Sequence, residues 1–303
     1  MEKILITGSN GLLGQALIKQ FKDGYYLIGC DISDEDFNKN VPLNEFYNID
    51  LTKRDKVQRF FAAHKPDIIV NTAALTNVDQ CEDDRDLCWA LNVRIVELIL
   101  EAVESYSPLF VQVSTDYVFD GKTGYYQESD KTNPVSYYGH TKLAAEKIIL
   151  ASGLEYIIAR TMILYGHGYK VRNNFVTWVI DQLKAGKKIK VIDGQRGNPT
   201  LVDDLAEAIF RLISKKEYGV FHISGSEDCT RLEFARRIAK NFELNLDLIQ
   251  EIDIKDLVQK APRPSNSTFN LDKLNNTLDW LPGNLDASLL KLKSRMAEGN
   301  DIE

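Results

Sequence analysis

Cysteine is scarce in this chain. Cys30, Cys81, Cys88 and Cys229 are the four among 303 residues, and no two stand in a C-x-x-C spacing. That argues against a disulfide framework and a cysteine-held zinc site, and predicts buried free thiols. Histidine is equally thin: His64, His140, His167 and His222 are scattered, and no pair has the i, i+4 spacing of a helical metal site, so no protein-ligated metal is expected. Basic charge is short as well. Thirty-seven Lys and Arg stand against 44 Asp and Glu, a net charge of −7, which argues against nucleic-acid and anionic-membrane partners. The longest uncharged run, Ile4 to Ile18, is interrupted by Ser9, Asn10, Gln15 and three glycines. It falls short of the ~18 to 20 apolar residues of a membrane span. The first residues, Met-Glu-Lys, lead straight into an apolar segment without a basic n-region or a small-residue cleavage site, so a cytoplasmic location is expected. Repeats and low-complexity tracts are missing, and the short acidic clusters Asp34-Glu35-Asp36 and Glu82-Asp83-Asp84 are expected to face solvent.

What is present is a globular composition, 44% apolar and 27% charged, ordered as short apolar runs alternating with helical patterns. That alternation is the sequence form of βαβ units. Lys3 to Thr7, Tyr25 to Cys30, Asp67 to Asn71, Leu109 to Ser114, Tyr156 to Ala159 and Val220 to Ile223 read as strands covered on both faces. Leu12 to Phe21, Arg54 to His64, Asp86 to Tyr106 and Tyr138 to Ala151 carry apolar residues at spacings of three and four and read as crossover helices. Beyond Tyr165 the pattern loosens, with helices expected near Asn174 to Leu183, Val202 to Ile213, Leu232 to Phe242 and Ala287 to Met296. The expected fold is α/β: a Rossmann-like doubly wound parallel sheet over residues 1–165 and a smaller C-terminal α/β substrate-binding region over 166–303. The two are interleaved, because segments near 200–225 are expected to pack back on the first.

Three motifs carry chemistry. Thr7-Gly8-Ser9-Asn10-Gly11-Leu12-Leu13-Gly14 follows the first strand and opens the first helix. Gly8 suits the tight turn, Gly11 the approach of a pyrophosphate to backbone, and Gly14 close helix packing, while the helix start offers free N–H groups to an anion. Asp31 ends the second strand 23 positions after Gly8, near the ~20-residue offset at which a carboxylate meets the adenosine ribose. It would repel a 2′-phosphate, so NADH is favoured over NADPH unless Lys39, Lys53 or Arg54 folds over that phosphate. In Tyr138-Gly139-His140-Thr141-Lys142 the phenol and the ammonium are four apart and share a helix face. A nearby ammonium favours phenolate and is expected to lower the tyrosine pKa, fitting Tyr138 for proton exchange with a carbonyl oxygen while Lys142 also holds the nicotinamide ribose. His140 turns away from that face and reads as structural. Ser114-Thr115-Asp116-Tyr117-Val118-Phe119-Asp120-Gly121 leaves the carboxyl end of a strand, where ligands of such sheets gather, and completes a set of Thr115, Tyr138 and Lys142.

Together these stretches resemble an extended short-chain dehydrogenase/reductase, and within it the dTDP-4-dehydrorhamnose reductase family. The resemblance runs nearly end to end. It includes Asp67-Ile68-Ile69-Val70-Asn71-Thr72-Ala73-Ala74, Val78-Asp79, Leu143-Ala144-Ala145-Glu146-Lys147, Asn173-Asn174-Phe175 and Arg263-Pro264. It implies a cofactor site of Gly8, Asn10, Gly11, Leu12, Leu13, Gly14, Asp31, Asp50, Leu51, Ala73, Ala74, Leu75 and Thr76 with Tyr138 and Lys142. It also implies proton donation by Tyr138, sugar contacts from Thr115, Asp116 and Asn174, and a nucleotide diphosphate held by Arg263. The implied reaction is NAD(P)H-dependent reduction of the C4 keto group of a nucleotide-linked 4-keto-6-deoxy sugar, dTDP-4-dehydro-L-rhamnose to dTDP-L-rhamnose being the first choice.

One stretch departs from the family. Arg160-Thr161-Met162-Ile163-Leu164-Tyr165 stands where the family commonly has Arg-Thr-Ser-Trp-Val-Tyr, with the tryptophan beside the sugar. A similar Ile-Leu-Tyr-Gly occurs in relatives that serve as the regulatory subunit of methionine adenosyltransferase, so a dinucleotide-binding regulatory subunit is the alternative of a different class. A sugar 4,6-dehydratase is disfavoured because Asp116 is followed by Tyr117 instead of the glutamate that would take the C5 proton. Another nucleotide-sugar epimerase or reductase stays open, as do monomer or homodimer and any bound Mg2+.

Overall fold

The computed structural model describes residues 1–38, 41, 43–253, 255 and 259–299. Lys39, one of the three cations named for a 2′-phosphate, lies outside the described residues. Six strands of the main sheet run in chain order: β1 Lys3–Thr7, β2 Tyr26–Asp31, β3 Glu45–Asn48, β4 Ile68–Asn71, β5 Leu109–Thr115 and β6 Tyr156–Thr161. The strand Gly219–His222 pairs parallel with β6 and closes the sheet at one edge. The order is Gly219–His222, β6, β5, β4, β1, β2, β3, and every pairing is parallel.

Continuous apolar runs suit these strands because both faces are covered. Ile4 and Ile6 point into one core with Leu17, Leu205 and Ile209, whereas Leu5 between them points into the other with Phe61, Val96 and Ile99. The helices that cover the sheet are α1 Leu12–Phe21, α2 Arg54–His64, α3 Val78–Asp83, α4 Arg85–Trp89, α5 Ile95–Val103 and α6 Tyr137–Ala151. The helix expected over Asp86 to Tyr106 is therefore broken: a π-helical turn, Ala90–Arg94, separates α4 from α5. Its buried Asn92 bonds to Leu75 and Thr141, partners that local periodicity does not reveal. Helix α3 also lacks a periodic signal of its own.

Beyond β6 come α7 Phe175–Lys184, α8 Val202–Lys215, α9 Arg231–Asn241, α10 Asp272–Leu278 and α11 Leu285–Gly299. Helices α8 and α10 share the core of the main sheet through Leu205, Ile209, Leu274 and Leu278. A third core joins α7, α9 and α11 through Val176, Ile180, Phe234, Ile238 and Leu289. Thr230 opens α9 in a reciprocal capping box with Glu233. All four cysteines are free and buried. Among the described residues no helix is long and apolar enough to cross a membrane.

The strand order reverses at β1, whose neighbours are β2 and β4. The carboxyl ends of β1 and β4 thus diverge into a crevice, the place where such sheets bind ligands.

Candidate active site

The glycine motif lines that crevice. Gly8 has φ +63°, a conformation that excludes most side chains. A Cβ on Gly14 would lie 2.4 Å from the Gly8 carbonyl oxygen and 2.7 Å from Ser9 backbone, so the helix can start here only against a glycine. No side chain caps α1 and its first turn holds no acidic residue, which leaves its N–H groups turned toward an anion. These features fit a pyrophosphate.

Around the turn, the Asn10 amide donates to Asp31 Oδ2 at 3.2 Å, and Ser33 N donates to the other oxygen at 3.2 Å. The Asn10 side chain is engaged elsewhere: its Nδ2 donates to the Glu35 carbonyl and its Oδ1 accepts from Phe37 N. It therefore shapes the Glu35–Phe37 loop. Asp50 accepts from Thr52 N and Thr52 Oγ1, with Leu51 buried beside it. Ala73 and Ala74 are half-buried, Leu75 is buried and Thr76 is exposed. Of the remaining cations named for a 2′-phosphate, Lys53 is exposed and Arg54 pairs with Glu101.

At the end of β5 the Thr115 hydroxyl donates to Asp116 Oδ1 at 3.0 Å, and Ser267 Oγ donates to Asp116 Oδ2 at 2.5 Å. Tyr138 lies in the first turn of α6, which Ser136 caps by accepting from Gly139 N. Gly139 is required: a Cβ there would sit 2.2 Å from the Tyr117 carbonyl oxygen. Glu82 accepts from Tyr137 N at 2.7 Å, so one member of the acidic cluster expected to be solvated anchors the start of this helix. Glu35 faces solvent as expected and pairs there with Lys170 at 2.8 Å.

The electrostatics correct one expectation. Burial, then the Asp116 charge, raises the Tyr138 pKa above its ordinary value, and hydrogen-bonding contact with Thr115 opposes this only in part. The spacing had implied a lowering by Lys142. Desolvation sets the direction instead, because both groups are almost fully buried, and the same burial lowers Lys142 to about 8 against the opposing Glu146 charge. Tyr138 is thus a protonated phenol at neutral pH, ready to donate. Glu146 itself is fixed by Arg160 at 2.7 and 3.0 Å and by Ser114 Oγ at 2.5 Å. Burial pushes Asp116 up to about 6, against hydrogen bonds from Ser267 and Thr115.

Two substrate-site expectations change. Asn174 is the N-cap of α7: its Oδ1 accepts from Val176 N and Thr177 N, and its Nδ2 donates to the Gly166 carbonyl. Its polar atoms are thus engaged within the helix cap and the loop before it. Arg263 donates to Asp79 Oδ2 at 3.0 Å and hydrogen-bonds Tyr117, which brings it to the site already paired. Sequence reasoning missed Arg231, which stacks over Phe175 and has the Asp116 carboxylate and the Tyr117 phenol nearby, without an ion pair among the described residues. It also missed Ser267 and Asn92. A buried polar residue on an otherwise apolar helix face was the available signal for Asn92, whereas Ser267 had none. Asp116, Tyr117, Ile163, Arg196, Arg231 and Ser267 line a cavity of about 40 Å³. A larger cleft of about 560 Å³ lies between α1, α8 and α11, but it holds none of the chemistry above, and Asp204 and Asp203 there are paired with Lys291 and Arg295.

Residues 1–294 match the family model described as the RmlD substrate binding domain. The chain belongs to that family. The dTDP-4-dehydrorhamnose reductase of Aggregatibacter actinomycetemcomitans is 30% identical over 97% of this chain and 99% of its own. A crystal structure of dTDP-4-dehydrorhamnose reductase from Bacillus anthracis in complex with NADP superposes with a TM-score of 0.86 at 30% identity, covering 97% of this chain and 99% of that one. Methionine adenosyltransferase 2 subunit beta of Bos taurus is 31% identical over 90% of this chain and 81% of its own.

Proposed function

We propose that this chain is an NAD(P)H-dependent reductase of the C4 keto group of a nucleotide-linked 4-keto-6-deoxy sugar, converting dTDP-4-dehydro-L-rhamnose to dTDP-L-rhamnose. The observation that carries this reading is that Thr115, Asp116 and Tyr138 meet at the carboxyl end of β5, with Lys142 one turn along α6 from Tyr138, on the sheet whose β1 leads into the glycine turn. The backbone of Gly8 to Gly14 would hold the pyrophosphate, Asp31 the adenosine ribose, and Lys142 the nicotinamide ribose. The reduced nicotinamide, when bound, supplies hydride to the sugar carbonyl carbon. Tyr138 donates its proton to the carbonyl oxygen as charge develops there, and Thr115 orients that oxygen. The positive field of Lys142 favours the phenolate left behind. Arg231, with Arg263 nearby, gives the site the cationic side that a nucleotide diphosphate needs in a chain of net charge −7.

Reduction needs no further group, whereas dehydration needs a base that Tyr117 cannot supply. The Asp31 carboxylate supports NADH, and the NADP-bound relative supports NADPH. The binding-subunit reading rests on the likeness to methionine adenosyltransferase 2 subunit beta and on Met162-Ile163. Nicotinamide absorbance followed with dTDP-4-keto-6-deoxy-L-lyxo-hexose separates them. Turnover supports the reductase, while tight dinucleotide binding without turnover of any nucleotide 4-keto sugar supports the subunit.

A further inference from the structure

Lys170 reaches the loop after β2 from 135 positions further along the chain. It stands in the connection between β6 and α7, and its Nζ donates to Glu35 Oε2 at 2.8 Å. Two side-chain amides fix the meeting point. Gln15 of α1 takes both backbone groups of Tyr169, donating to its carbonyl and accepting from its N–H, each at 2.9 Å, and it also donates to the Asn10 carbonyl at 2.8 Å. Asn10 holds the other loop in the same way, through the Glu35 carbonyl at 2.8 Å and the Phe37 N–H at 2.9 Å. The Phe37 and Tyr169 rings meet edge to face at 6.0 Å, with Lys170 Nζ 5.1 Å from the first centroid and 5.3 Å from the second. We propose that Lys170 is what lets a 2′-phosphorylated dinucleotide bind: its ammonium leaves Glu35 for the 2′-phosphate, and the site takes NADPH as well as NADH. This rests on the dinucleotide reading above, with Asp31 at the adenosine ribose.

A dinucleotide site of this kind reads the ribose with a carboxylate at the end of the second strand and accommodates a 2′-phosphate with a cation close to it. The described cations nearest in sequence are engaged elsewhere: Arg54 pairs with Glu101, and Lys53 stands at the N-cap of α2 beside Asp50. Lys170 is instead tied to the turn that Asp31 opens. Asp31 accepts from Asn10 N and Ser33 N, each at 3.2 Å, and the Glu35 carbonyl accepts from the side chains of the same two residues, Asn10 Nδ2 and Ser33 Oγ. Asp31, Asn10, Ser33 and Glu35 thus form one hydrogen-bonded unit, and Lys170 closes its outer side. The lysine holds φ +52°, a left-handed conformation that a glycine adopts at less cost, which points to a use for the side chain it carries there.

The exchange is electrostatically reasonable. The side chains of Lys170 and Glu35 are 47% and 42% exposed, so water screens their attraction and the pair opens at little cost. A 2′-phosphate brings about two negative charges against the single charge of the carboxylate, and the flexible lysine stem can follow it. With NADH no such anion arrives. The Glu35–Lys170 pair then stays closed, and Asp31 meets the ribose hydroxyls alone.

The test titrates the purified chain with NADH and NADPH, without sugar and at low ionic strength, and reads the fluorescence of the reduced nicotinamide. Lys170→Met should weaken NADPH about five- to tenfold and move NADH by less than about twofold. Glu35→Gln should tighten NADPH about two- to fivefold, because no carboxylate then competes for the ammonium. Adenosine 2′,5′-bisphosphate and 5′-AMP, which lack the nicotinamide, should divide in the same way. NADPH affinity within about twofold of wild type in Lys170→Met overturns the proposal, and so does an equal loss of NADH and NADPH, which would make Lys170 a structural residue of its loop. Failure to bind either dinucleotide would remove the dinucleotide reading and Lys170 with it, whereas NADH bound normally and NADPH indifferent to residue 170 removes Lys170 alone.

Discussion

Ser267 Oγ donates to Asp116 Oδ2 at 2.5 Å across 151 positions of the chain. The bond reaches from the last third of the protein to the end of β5, and it is one of the few things holding a buried carboxylate in its charged form. Burial still wins and places the Asp116 pKa at about 6, above the ordinary 3.8. A folded-state pKa raised in this way favours folding below the unfolded value and loses that contribution as pH rises through 6. At ~1.4 kcal/mol per pKa unit, a shift of about two units costs about 3 kcal/mol at pH 8. Asp116→Asn should therefore raise Tm relative to wild type more at pH 8 than at pH 4. Ser267→Ala should lower Tm more at pH 8 than at pH 4, because it removes a bond to the charged form. Thermal melts across that range decide it, and a difference independent of pH would mean that Asp116 is not held up.

Tyr138 and Lys142 are separable by what they touch. Tyr138→Phe deletes a proton and leaves the glycine cradle whole, so kcat should fall by ~10²- to 10⁴-fold with dinucleotide affinity nearly unchanged. Lys142→Ala should also weaken dinucleotide binding, since that side chain is assigned to the ribose as well as to the phenol. Kinetics paired with dinucleotide titration check both, and a Tyr138→Phe enzyme with near wild-type kcat would remove the tyrosine from the reaction.

Much of this site was legible because its signals are local. The apolar runs of β1 and β4 mark strands, the spacing in Leu12–Phe21 marks a helix, and Gly14, where a Cβ would meet Gly8 and Ser9, holds a position set within its own turn. What escaped depends on partners far along the chain. Asn92 breaks its helix to reach Leu75 and Thr141, 17 and 49 positions away, and no periodicity carries that. The direction of the Tyr138 shift follows from burial, which only the packed fold sets. Asn174 was expected at the sugar from the resemblance around Asn173-Asn174-Phe175, and its three bonds place it in the helix cap and on the Gly166 carbonyl.

At the end of β2 the Asp31 carboxylate accepts from the Asn10 amide, and the proposed role of Asp31 at the adenosine ribose has a direct test. Wild type should use NADH at least as well as NADPH, and Asp31→Ala should move the ratio of kcat/KM toward NADPH by relieving charge repulsion. Initial rates with both cofactors provide the measurement. A wild type that strongly prefers NADPH, with no change on substitution, would show that Asp31 does not face the ribose.

Ile163 stands where the family commonly places a tryptophan, and it lines the same cavity as Asp116, Tyr117 and Arg231. Its φ of +45° is an outlier for a β-branched residue, so the backbone holds a strained conformation that keeps this side chain in the cavity wall. The neighbouring Met162 is buried and accepts from Asn198 N at 3.0 Å, which fixes the segment from below. A flat indole on a sugar face adds ~0.5 to 1.5 kcal/mol beyond its burial, about tenfold in affinity at the upper end. Ile163→Trp should therefore lower KM for dTDP-4-keto-6-deoxy-L-lyxo-hexose by up to about tenfold and leave kcat within about twofold, because the substitution adds ground-state contact and does not touch Tyr138 or Lys142. Unchanged KM alongside normal turnover would show that residue 163 does not meet the sugar, and would move the choice of sugar to Arg196 and the other residues of the cavity wall.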